Sequence, residues 1–275
     1  MIGILGSGTM GKSIAIEIAK SGKDVLVYSA QRHLTDENLK EELTNVIIRS
    51  KIENVESVLS KIRIGHTETD FSDCDFIIEA LKEDLSLKRE IISHVSKSTK
   101  SDVIYCSNTS SLSLNDIFQG ICNLSNVIGL HFFNPPSIMK LIEISFLPET
   151  SSETIDFAVN FTKDIGKDPI LVKNSPGFVV NKLLIPYINE AVKILESGIA
   201  KMEDIDKAMM LGANHPIGPF KLADLIGLDV VYAILETFIH NGSNIIIADT
   251  IRLMLNENKL GRKTKIGFYD YSVKK

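Results

Sequence analysis

Along the first 170 or so residues, short apolar runs alternate with segments that are apolar on one helical face. Short apolar runs of this kind are typical of β-strands, and the longer one-sided segments are typical of α-helices. Strands are predicted at 2–5, 24–29, 75–80, 102–108, 126–132 and 140–145, and helices at 11–21, 35–48, 53–62 and 84–97. Because strands alternate with helices, the pattern predicts an α/β domain with a mostly parallel sheet.

From Ser175 onward the apolar spacing is helical throughout. Residues 175–198 begin with Ser-Pro, continue with apolar residues at helical spacing and end at a glycine, as a helix does. Pro186 should kink this helix or be accommodated against a partner. Further helices are predicted at 202–211, 219–240 and 245–258. We therefore predict two domains, an α/β domain over 1–174 and an all-α domain over 175–275.

Composition and charge argue against several classes of protein. The 275 residues carry a net charge of −5 at pH 7, so no overall basic field attracts nucleic acid or an anionic membrane. The three cysteines, Cys74, Cys106 and Cys122, lack CxxC spacing, which argues against a disulfide framework and a zinc site and suits a reducing cytosol. The N-terminal residues do not resemble a signal peptide, and the longest uncharged stretch, 117–139, is too polar to cross a membrane. We expect a cytoplasmic protein.

The sequence GSGTMG, residues 6–11, lies between the first predicted strand and the first predicted helix. Gly6, Gly8 and Gly11 have GxGxxG spacing, which by itself is common. Between a strand and a helix, this spacing forms a tight turn, lets the backbone approach a pyrophosphate and presents a helix N-terminus to it. We therefore predict a dinucleotide site that also includes Thr9 and Met10. A glycine turn in another kind of α/β protein is the alternative.

The second predicted strand ends at Ser29, where a dinucleotide-binding domain usually has an acidic residue that binds the adenosine ribose. A carboxylate there would repel a ribose 2′-phosphate, whereas Ser29 and nearby Arg32 could accept one. The missing acid therefore favours NADP(H) over NAD(H), or a relaxed preference between them. The alternative is that Arg32 is an ordinary solvated loop residue.

His131 lies near the end of the apolar strand predicted at 126–132, in the sequence GLHFFNPP. A core histidine with both ring nitrogens hydrogen-bonded is the ordinary explanation for such a residue. A catalytic base is the other explanation, because imidazole titrates near neutral pH and can remove the hydroxyl proton of an alcohol while hydride leaves the same carbon. The histidine alone does not decide between the two.

Seven blocks occur in order along nearly the whole chain: GSGTMG, DFIIEA, SNTSSLSL, GLHFFNPPSIMKLIEI, SPGFVVNKLL, GANHPIGPFKLADLIGLD and GRKTKIGFYDY. In these blocks the chain resembles the L-3-hydroxyacyl-CoA dehydrogenase family, in particular its short bacterial 3-hydroxybutyryl-CoA dehydrogenase type. The resemblance implies an N-terminal Rossmann-like domain with a helical hairpin insertion, then a helical domain for substrate binding and dimerisation. It implies reversible NAD(P)-dependent oxidation of a short-chain (S)-3-hydroxyacyl-CoA to the 3-oxoacyl-CoA, with no metal.

The resemblance also implies a set of catalytic residues. His131 is then the base, and Glu143 on the following strand orients its ring, as in other histidine–acid pairs. Ser110 corresponds to a serine near the substrate hydroxyl. Asn181 corresponds to an asparagine whose amide polarises the substrate carbonyl. The alternatives are a solvated glutamate, a turn serine and a satisfied contact between the domains.

Other residues match family positions that bind cofactor or substrate. For the dinucleotide these are Glu83, Lys88, Asn134 and Lys263. For CoA, Arg49 and Lys51 lie in the segment NVIIRSKIENV, where relatives have a basic residue on the inserted hairpin. Both side chains can pair with phosphate, although each of these residues could equally be a solvated charge or a turn residue.

The chain also departs from the family pattern. Ser29 replaces the acid of the second strand, and Lys265 replaces a usual glycine near the C-terminus. Two alternative functions stay open: a dehydrogenase of a free hydroxy acid, of the sugar-acid or carnitine type, and a non-catalytic dinucleotide-binding relative. Because a helical domain of about 100 residues leaves broad apolar faces uncovered, a homodimer through that domain is expected.

Overall fold

The fold is given by a computed structural model that describes residues 1–29 and 35–272. The strands of these residues are β1 (Ile2–Leu5), β2 (Val25–Tyr28), β3 (Ile62–Gly65), β4 (Phe76–Glu79), β5 (Ile104–Ser107), β6 (Val127–Phe132), β7 (Leu141–Phe146) and β8 (Asp168–Lys173). The helices are α1 (Thr9–Lys20), α2 (Asp36–Arg49), α3 (Val55–Ser60), α4 (Leu85–Ser96), α5 (Leu114–Phe118), α6 (Ser152–Asp164), α7 (Val180–Glu196), α8 (Met202–Gly212), α9 (Pro219–Ile226), α10 (Leu228–His240) and α11 (Asp249–Asn256).

The strands form one sheet in the order β3-β2-β1-β4-β5-β6-β7-β8. Neighbouring strands run parallel except β6 and β7, which are antiparallel. The predicted fold class, a mostly parallel Rossmann-like sheet followed by a helical domain, is confirmed. From β1 the chain builds β2 and β3 on one side and then returns to place β4 on the other. In open α/β sheets, ligands bind at such a switch point, outside the carboxyl ends of the strands.

Helices cover both faces of the sheet. Residues such as Ile14 of α1, Leu43 of α2 and Phe161 of α6 pack on one face. Ile92 of α4 and Phe118 of α5 belong to the core on the other face. Because both faces are covered, every residue of β1, β2, β4 and β6 is buried. Apart from Glu79 and His131 near the strand ends, these central strands are therefore apolar, which made them recognisable in the sequence.

The sequence-based prediction missed β3 and β8, and both lie at an edge of the sheet. The short strand β3 contains the exposed Arg63, and the prediction extended the preceding helix to residue 62, whereas α3 ends at Ser60. Strand β8 contains Pro169, and only Val172 in it is fully buried. Edge strands bury less surface and tolerate proline, so their hydrophobic pattern is weak.

The chain forms two compact units, Met1–Phe178 and Val179–Lys275. The boundary predicted from the sequence lies a few residues earlier, after residue 174. In the C-terminal unit, α7 runs uninterrupted through Pro186. The single helix predicted over 219–240 is wrong, because Gly227, with φ +101°, separates α9 from α10. A positive φ of this kind ends a helix and is open mainly to glycine.

Asp224 of α9 holds the C-terminal block GRKTKIGFYDY. Its carboxylate accepts hydrogen bonds from the backbone N–H groups of Phe268 at 2.8 Å and Tyr269 at 2.9 Å, and from the Tyr271 hydroxyl at 3.0 Å. A Cβ atom on Gly267 would lie 2.0 Å from Oδ1 of Asp224. The block therefore needs Gly267 for its close approach to α9, and Tyr271 adds a side-chain hydrogen bond.

Lys265, where the sequence resemblance implies a glycine, adopts the left-handed conformation, with φ +63° and ψ −1°. In this conformation a residue with a Cβ atom carries about 1–2 kcal/mol of strain, which glycine avoids. Glycine instead loses about 0.5–1 kcal/mol more backbone entropy on folding. We expect Lys265→Gly to raise the free energy of unfolding by up to about 1 kcal/mol, measured by denaturant titration.

Lys97→Gly is the matched control, because Lys97 is exposed, has φ −73° and, like Lys265, forms no ion pair with the described residues. It should lower the free energy of unfolding. If Lys265→Gly lowers the free energy of unfolding by as much as the control does, Lys265 is not strained.

Candidate active site

The turn between β1 and α1 has the geometry of a phosphate-binding loop. Gly6 has φ +123°, and a Cβ atom there would lie 2.6 Å from the carbonyl oxygen of Ala80. A Cβ atom on Gly11 would lie 1.9 Å from the carbonyl oxygen of Gly6. A larger residue at position 6 would clash with the backbone after β4, and one at position 11 would push α1 away from the turn. Both glycines are therefore required by the close packing of α1 against the turn and the residue after β4.

Gly8 differs from these two, because a Cβ atom there would meet nothing within 4 Å. Gly8 is the N-cap of α1, and no side chain of the described residues caps this helix. The first turn, which contains Thr9 and Met10, thus presents its N–H groups and the positive end of the helix dipole to open space. The pyrophosphate of a dinucleotide fits this arrangement of open glycine and uncapped helix.

Ser29 directly follows β2, at the position expected to carry an acid. Its hydroxyl oxygen lies 2.8 Å from the hydroxyl oxygen of Ser7, which belongs to the glycine loop. This hydrogen bond joins the loop to the end of β2 without adding a negative charge. Arg32, the other residue predicted to accept a 2′-phosphate, lies outside the described residues.

The antiparallel pairing of β6 and β7 brings His131 and Glu143 together. The two residues are direct cross-strand partners in the register of the sheet. Nδ1 of His131 lies 2.8 Å from Oε2 of Glu143, and the two residues are 8% and 0% exposed. Both lie near the carboxyl end of β6, which is the same sheet edge that bears the glycine loop, because β1, β4, β5 and β6 run parallel.

The His131 ring is also held by aromatic contacts. Its centroid lies 4.6 Å from that of Phe133 and 5.5 Å from that of Phe178. With Nδ1–H donated to the carboxylate of Glu143, the neutral ring has its lone pair on Nε2. A ring held on two sides by aromatics and at one nitrogen by a buried carboxylate has one orientation and one tautomer.

Ser110 lies in a turn after β5, and the carboxylate of Glu83 holds this turn. One oxygen, Oε1, accepts the Thr109 hydroxyl at 2.6 Å and the Ser111 hydroxyl at 2.7 Å. It also accepts the backbone N–H groups of Ser110 at 3.2 Å and Ser111 at 3.1 Å. Burial acts to raise the pKa of Glu83, but Lys88 and the hydrogen bonds from Thr109 and Ser111 outweigh it and hold this pKa below its ordinary value.

Lys88 lies beneath the turn and is 1% exposed. Its Nζ lies 2.7 Å from Oε1 of Glu79 and 3.1 Å from Oε2 of Glu83. Glu79, at the end of β4, also accepts hydrogen bonds from the Ser107 hydroxyl at 2.5 Å and the Leu81 N–H at 2.6 Å. The ammonium group of Lys88 is thus enclosed between two carboxylates.

Two residues that the sequence did not single out support this edge of the sheet. Oδ1 of Asn108 accepts the N–H of Phe132 at 2.9 Å, where the pairing of β5 and β6 ends. Lys167 donates to the carbonyl oxygens of Pro136 and, at 3.2 Å, of Met139, in the loop between β6 and β7. Asn134 lies in the same loop and is exposed.

Lys167 is paired with Glu17 of α1, 3.0 Å away, and both side chains are at most 5% exposed. Nothing in the sequence around Lys167 marks it as buried. The available signal was Glu17, a lone acid in the apolar sequence IAIEIA. A buried charge needs a partner, and here the partner also anchors the loop that carries Asn134.

The remaining predicted residues belong to other elements. Arg49 is the last residue of α2, Lys51 follows it with φ +54°, and both are exposed. Asn181 lies in the first turn of α7 and Lys263 in a short 3-10 helix, both in the C-terminal unit. Nζ of Lys263 pairs there with Asp229 of α10.

A Rossmann-like sheet, a phosphate-binding turn and a buried histidine–carboxylate pair on one sheet edge define a dinucleotide-dependent dehydrogenase. Residues 1–175 match the model of the 3-hydroxyacyl-CoA dehydrogenase NAD-binding domain, and residues 177–271 match that of the 3-hydroxyacyl-CoA dehydrogenase C-terminal domain. The chain belongs to the 3-hydroxyacyl-CoA dehydrogenase family. It is an oxidoreductase that acts on a CH–OH group with NAD(P), and the resemblance found in the sequence is confirmed.

Relatives match over nearly the whole chain. The 3-hydroxybutyryl-CoA dehydrogenase of Clostridioides difficile is 42% identical over 278 residues, which cover 98% of this chain and 99% of that protein. The mitochondrial hydroxyacyl-coenzyme A dehydrogenase of Homo sapiens is 36% identical, with 98% and 90% covered. The solved structure of (S)-3-hydroxybutyryl-CoA dehydrogenase from Ralstonia eutropha has a TM-score of 0.91 and 38% identity, with 99% of each chain covered.

None of the helices in the described part of the chain combines the length and the apolar character needed to cross a membrane. No group of three or more His, Cys, Asp or Glu side chains in residues 1–29 and 35–272 could hold a metal ion.

The buried pair of Lys167 and Glu17 generates a stability prediction. Lys167→Met would leave the Glu17 carboxylate buried, with only the half-exposed ammonium group of Lys20, 3.5 Å away, as a partner. We therefore expect the free energy of unfolding to fall by about 3 kcal/mol. Lys23→Met is the matched control, because Lys23 and Asp164 form an exposed pair at 3.2 Å, whose loss should cost no more than about 1 kcal/mol. Denaturant unfolding measures both, and equal losses would contradict the assignment of Lys167 as an anchor.

Proposed function

We propose that the chain interconverts (S)-3-hydroxybutyryl-CoA, and other short-chain (S)-3-hydroxyacyl-CoA esters, with the corresponding 3-oxoacyl-CoA esters. The observation that carries this proposal is the buried pair of His131 and Glu143 on the sheet edge that also bears the glycine loop. A base beside a dinucleotide site is what the oxidation of an alcohol requires. The choice of short-chain CoA esters is supported by the names of the relatives from C. difficile and R. eutropha.

In this proposal His131 is the base. Its Nε2 lone pair accepts the proton of the substrate hydroxyl, and the carboxylate of Glu143 stabilises the imidazolium that forms. Bound NAD(P)+ supplies the acceptor for the hydride that leaves C3 of the substrate. In the opposite direction, the imidazolium returns its proton to the substrate oxygen as the ketone is reduced.

Ser110 and Asn181 position the reacting oxygen in this proposal. The hydroxyl of Ser110 can donate or accept a hydrogen bond as the substrate carbon passes between alcohol and ketone. The amide of Asn181 can donate to the carbonyl oxygen and stabilise the charge that develops on it. Removing one such donor typically lowers the rate on the order of 100-fold.

The cofactor and CoA sites are proposed from the same family positions. The dinucleotide is bound by the glycine loop, by the end of β2 and by further polar residues: Gly6, Gly8, Thr9, Met10, Gly11, Ser29, Arg32, Asn134 and Lys263. The CoA phosphates pair with Arg49 and Lys51, whose exposed cationic side chains lie at the end of α2.

We also propose a cytoplasmic homodimer that forms through the C-terminal unit. Six large apolar residues of this unit are 53 to 76% exposed, and apolar surface of this extent is typical of an interface between copies. These residues are Leu183, Ile199, Leu211, Leu225, Ile246 and Leu253.

The proposed reaction is tested with acetoacetyl-CoA, whose reduction is followed at the absorbance of the reduced nicotinamide. The wild-type protein should turn it over, and His131→Ala should lower kcat by at least about 100-fold, because the proton donor to the ketone is lost. Thermal unfolding of the variant serves as the control for folding.

The same assay separates the alternatives. Free acetoacetate should be a poor substrate, and Arg49→Ala combined with Lys51→Ala should raise KM for acetoacetyl-CoA while leaving kcat near the wild-type value. Efficient reduction of the free acid, with no effect of the paired substitution, would indicate a hydroxy-acid dehydrogenase. Binding of the dinucleotide without turnover of any 3-oxo or 3-hydroxy substrate would indicate a non-catalytic relative.

The end of β2 generates a prediction about cofactor choice. Ser29→Asp places a carboxylate where the ribose 2′-phosphate of NADPH would lie, so repulsion should raise KM for NADPH at least about 10-fold and leave KM for NADH unchanged or lower. Ser29→Ala is the control, because it removes the hydroxyl without adding charge. Equal effects of Ser29→Asp on both cofactors would show that Ser29 does not read the 2′-phosphate.

A further inference from the structure

The turn at residues 109–111 has an unusual arrangement of hydroxyl groups. The hydroxyls of Thr109 and Ser111 both donate to one oxygen of Glu83. Among the hydrogen bonds of residues 1–29 and 35–272, none uses the hydroxyl of Ser110. The turn therefore fixes both neighbours of Ser110, and the Ser110 backbone, while its hydroxyl stays available to a ligand.

Oε1 of Glu83 accepts an unusually large number of hydrogen bonds. A carboxylate has about four acceptor sites over its two oxygens, yet four donors from three consecutive residues converge on Oε1 of Glu83. An ionised acceptor forms stronger hydrogen bonds than a neutral one, and Lys88 on the other oxygen favours the ionised form. The negative charge of Glu83 therefore strengthens the hydrogen bonds that hold residues 109–111 in the turn.

The carboxylate is in turn held by the sheet. Lys88 joins Glu83 to Glu79 at the end of β4, and Glu79 accepts the hydroxyl of Ser107 at the end of β5. These contacts form a continuous chain from two neighbouring strands to the turn. Because Lys88 and Glu79 are each 1% exposed, these linked side chains have little freedom to rearrange.

We propose that Glu83 is a positioning residue, which holds Ser110 so that its hydroxyl meets the reacting oxygen of the substrate. This inference rests on the function proposed above. It differs from the expectation that Glu83 contacts the dinucleotide, because it assigns the effect of Glu83 to the chemical step through Ser110. Lys88 and Glu79 support Glu83 and do not touch the substrate.

A double-mutant cycle tests the proposal. Wild type, Glu83→Gln, Ser110→Ala and the double variant are compared for kcat and for KM of acetoacetyl-CoA and NADH. Glu83→Gln keeps the shape of the side chain and removes its charge. We expect it to lower kcat about 10-fold or more, since a small misplacement of a reacting group is costly, and to leave KM for NADH within about twofold.

The coupling between the two sites is the decisive quantity. If Ser110→Ala lowers kcat on the order of 100-fold, the double variant should stay near that rate, because Glu83 acts only through Ser110. Independent effects would multiply to a loss on the order of 1000-fold and would overturn the proposal. So would a rise in KM for NADH with kcat unchanged, which would assign Glu83 to the dinucleotide.

Hydrogen exchange gives a readout that does not depend on turnover. The amides of Ser110 and Ser111 should exchange faster in Glu83→Gln than in wild type, and unchanged exchange would overturn the proposal. Glu90→Gln is the matched control, because Glu90 is an exposed glutamate on the same helix, α4, as Lys88. Absence of turnover in the wild type would contradict the proposed function itself, whereas altered ratios among the variants bear only on Glu83.

Discussion

The antiparallel pairing of β6 with β7 is the constraint on which the site depends. The strands β1, β4, β5 and β6 are parallel, so their carboxyl ends lie at the same edge of the sheet. Reversal of β7 places Glu143, near the start of its strand, opposite His131, near the end of its own. A parallel β7 could not give this pairing over the short loop at 133–140, because parallel strands need a long crossover connection.

The loop that makes this reversal is itself anchored. Lys167 ties its carbonyl groups to Glu17 of α1, the helix whose N-terminus faces the dinucleotide site. On the other side of the histidine, Asn108 closes the end of β5 against β6. His131 and helix α1 are therefore joined through buried polar contacts, and the loop at 133–140 is held by charges that have little contact with water.

The sequence was sufficient for most of the framework. The central strands are mostly apolar, and His131 and Glu143 could be assigned to adjacent strands on that basis together with the family resemblance. The edge strands β3 and β8 were not predicted, because low burial and Pro169 weaken their hydrophobic pattern. The burial of Lys88 and Lys167 could not be predicted either, since a lysine on a helix or in a loop is usually solvated. The partner of Lys167, Glu17, is also far away in the sequence.

The central claim is that Glu143 makes His131 a competent base, and one substitution tests it directly. Glu143→Gln keeps the size of the side chain but removes the charge that orients and stabilises the imidazolium. In acetoacetyl-CoA reduction, kcat should fall on the order of 1000-fold or more, with KM for NADH little changed and the protein still folded. A folded Glu143→Gln variant with kcat close to that of the wild type would contradict the account.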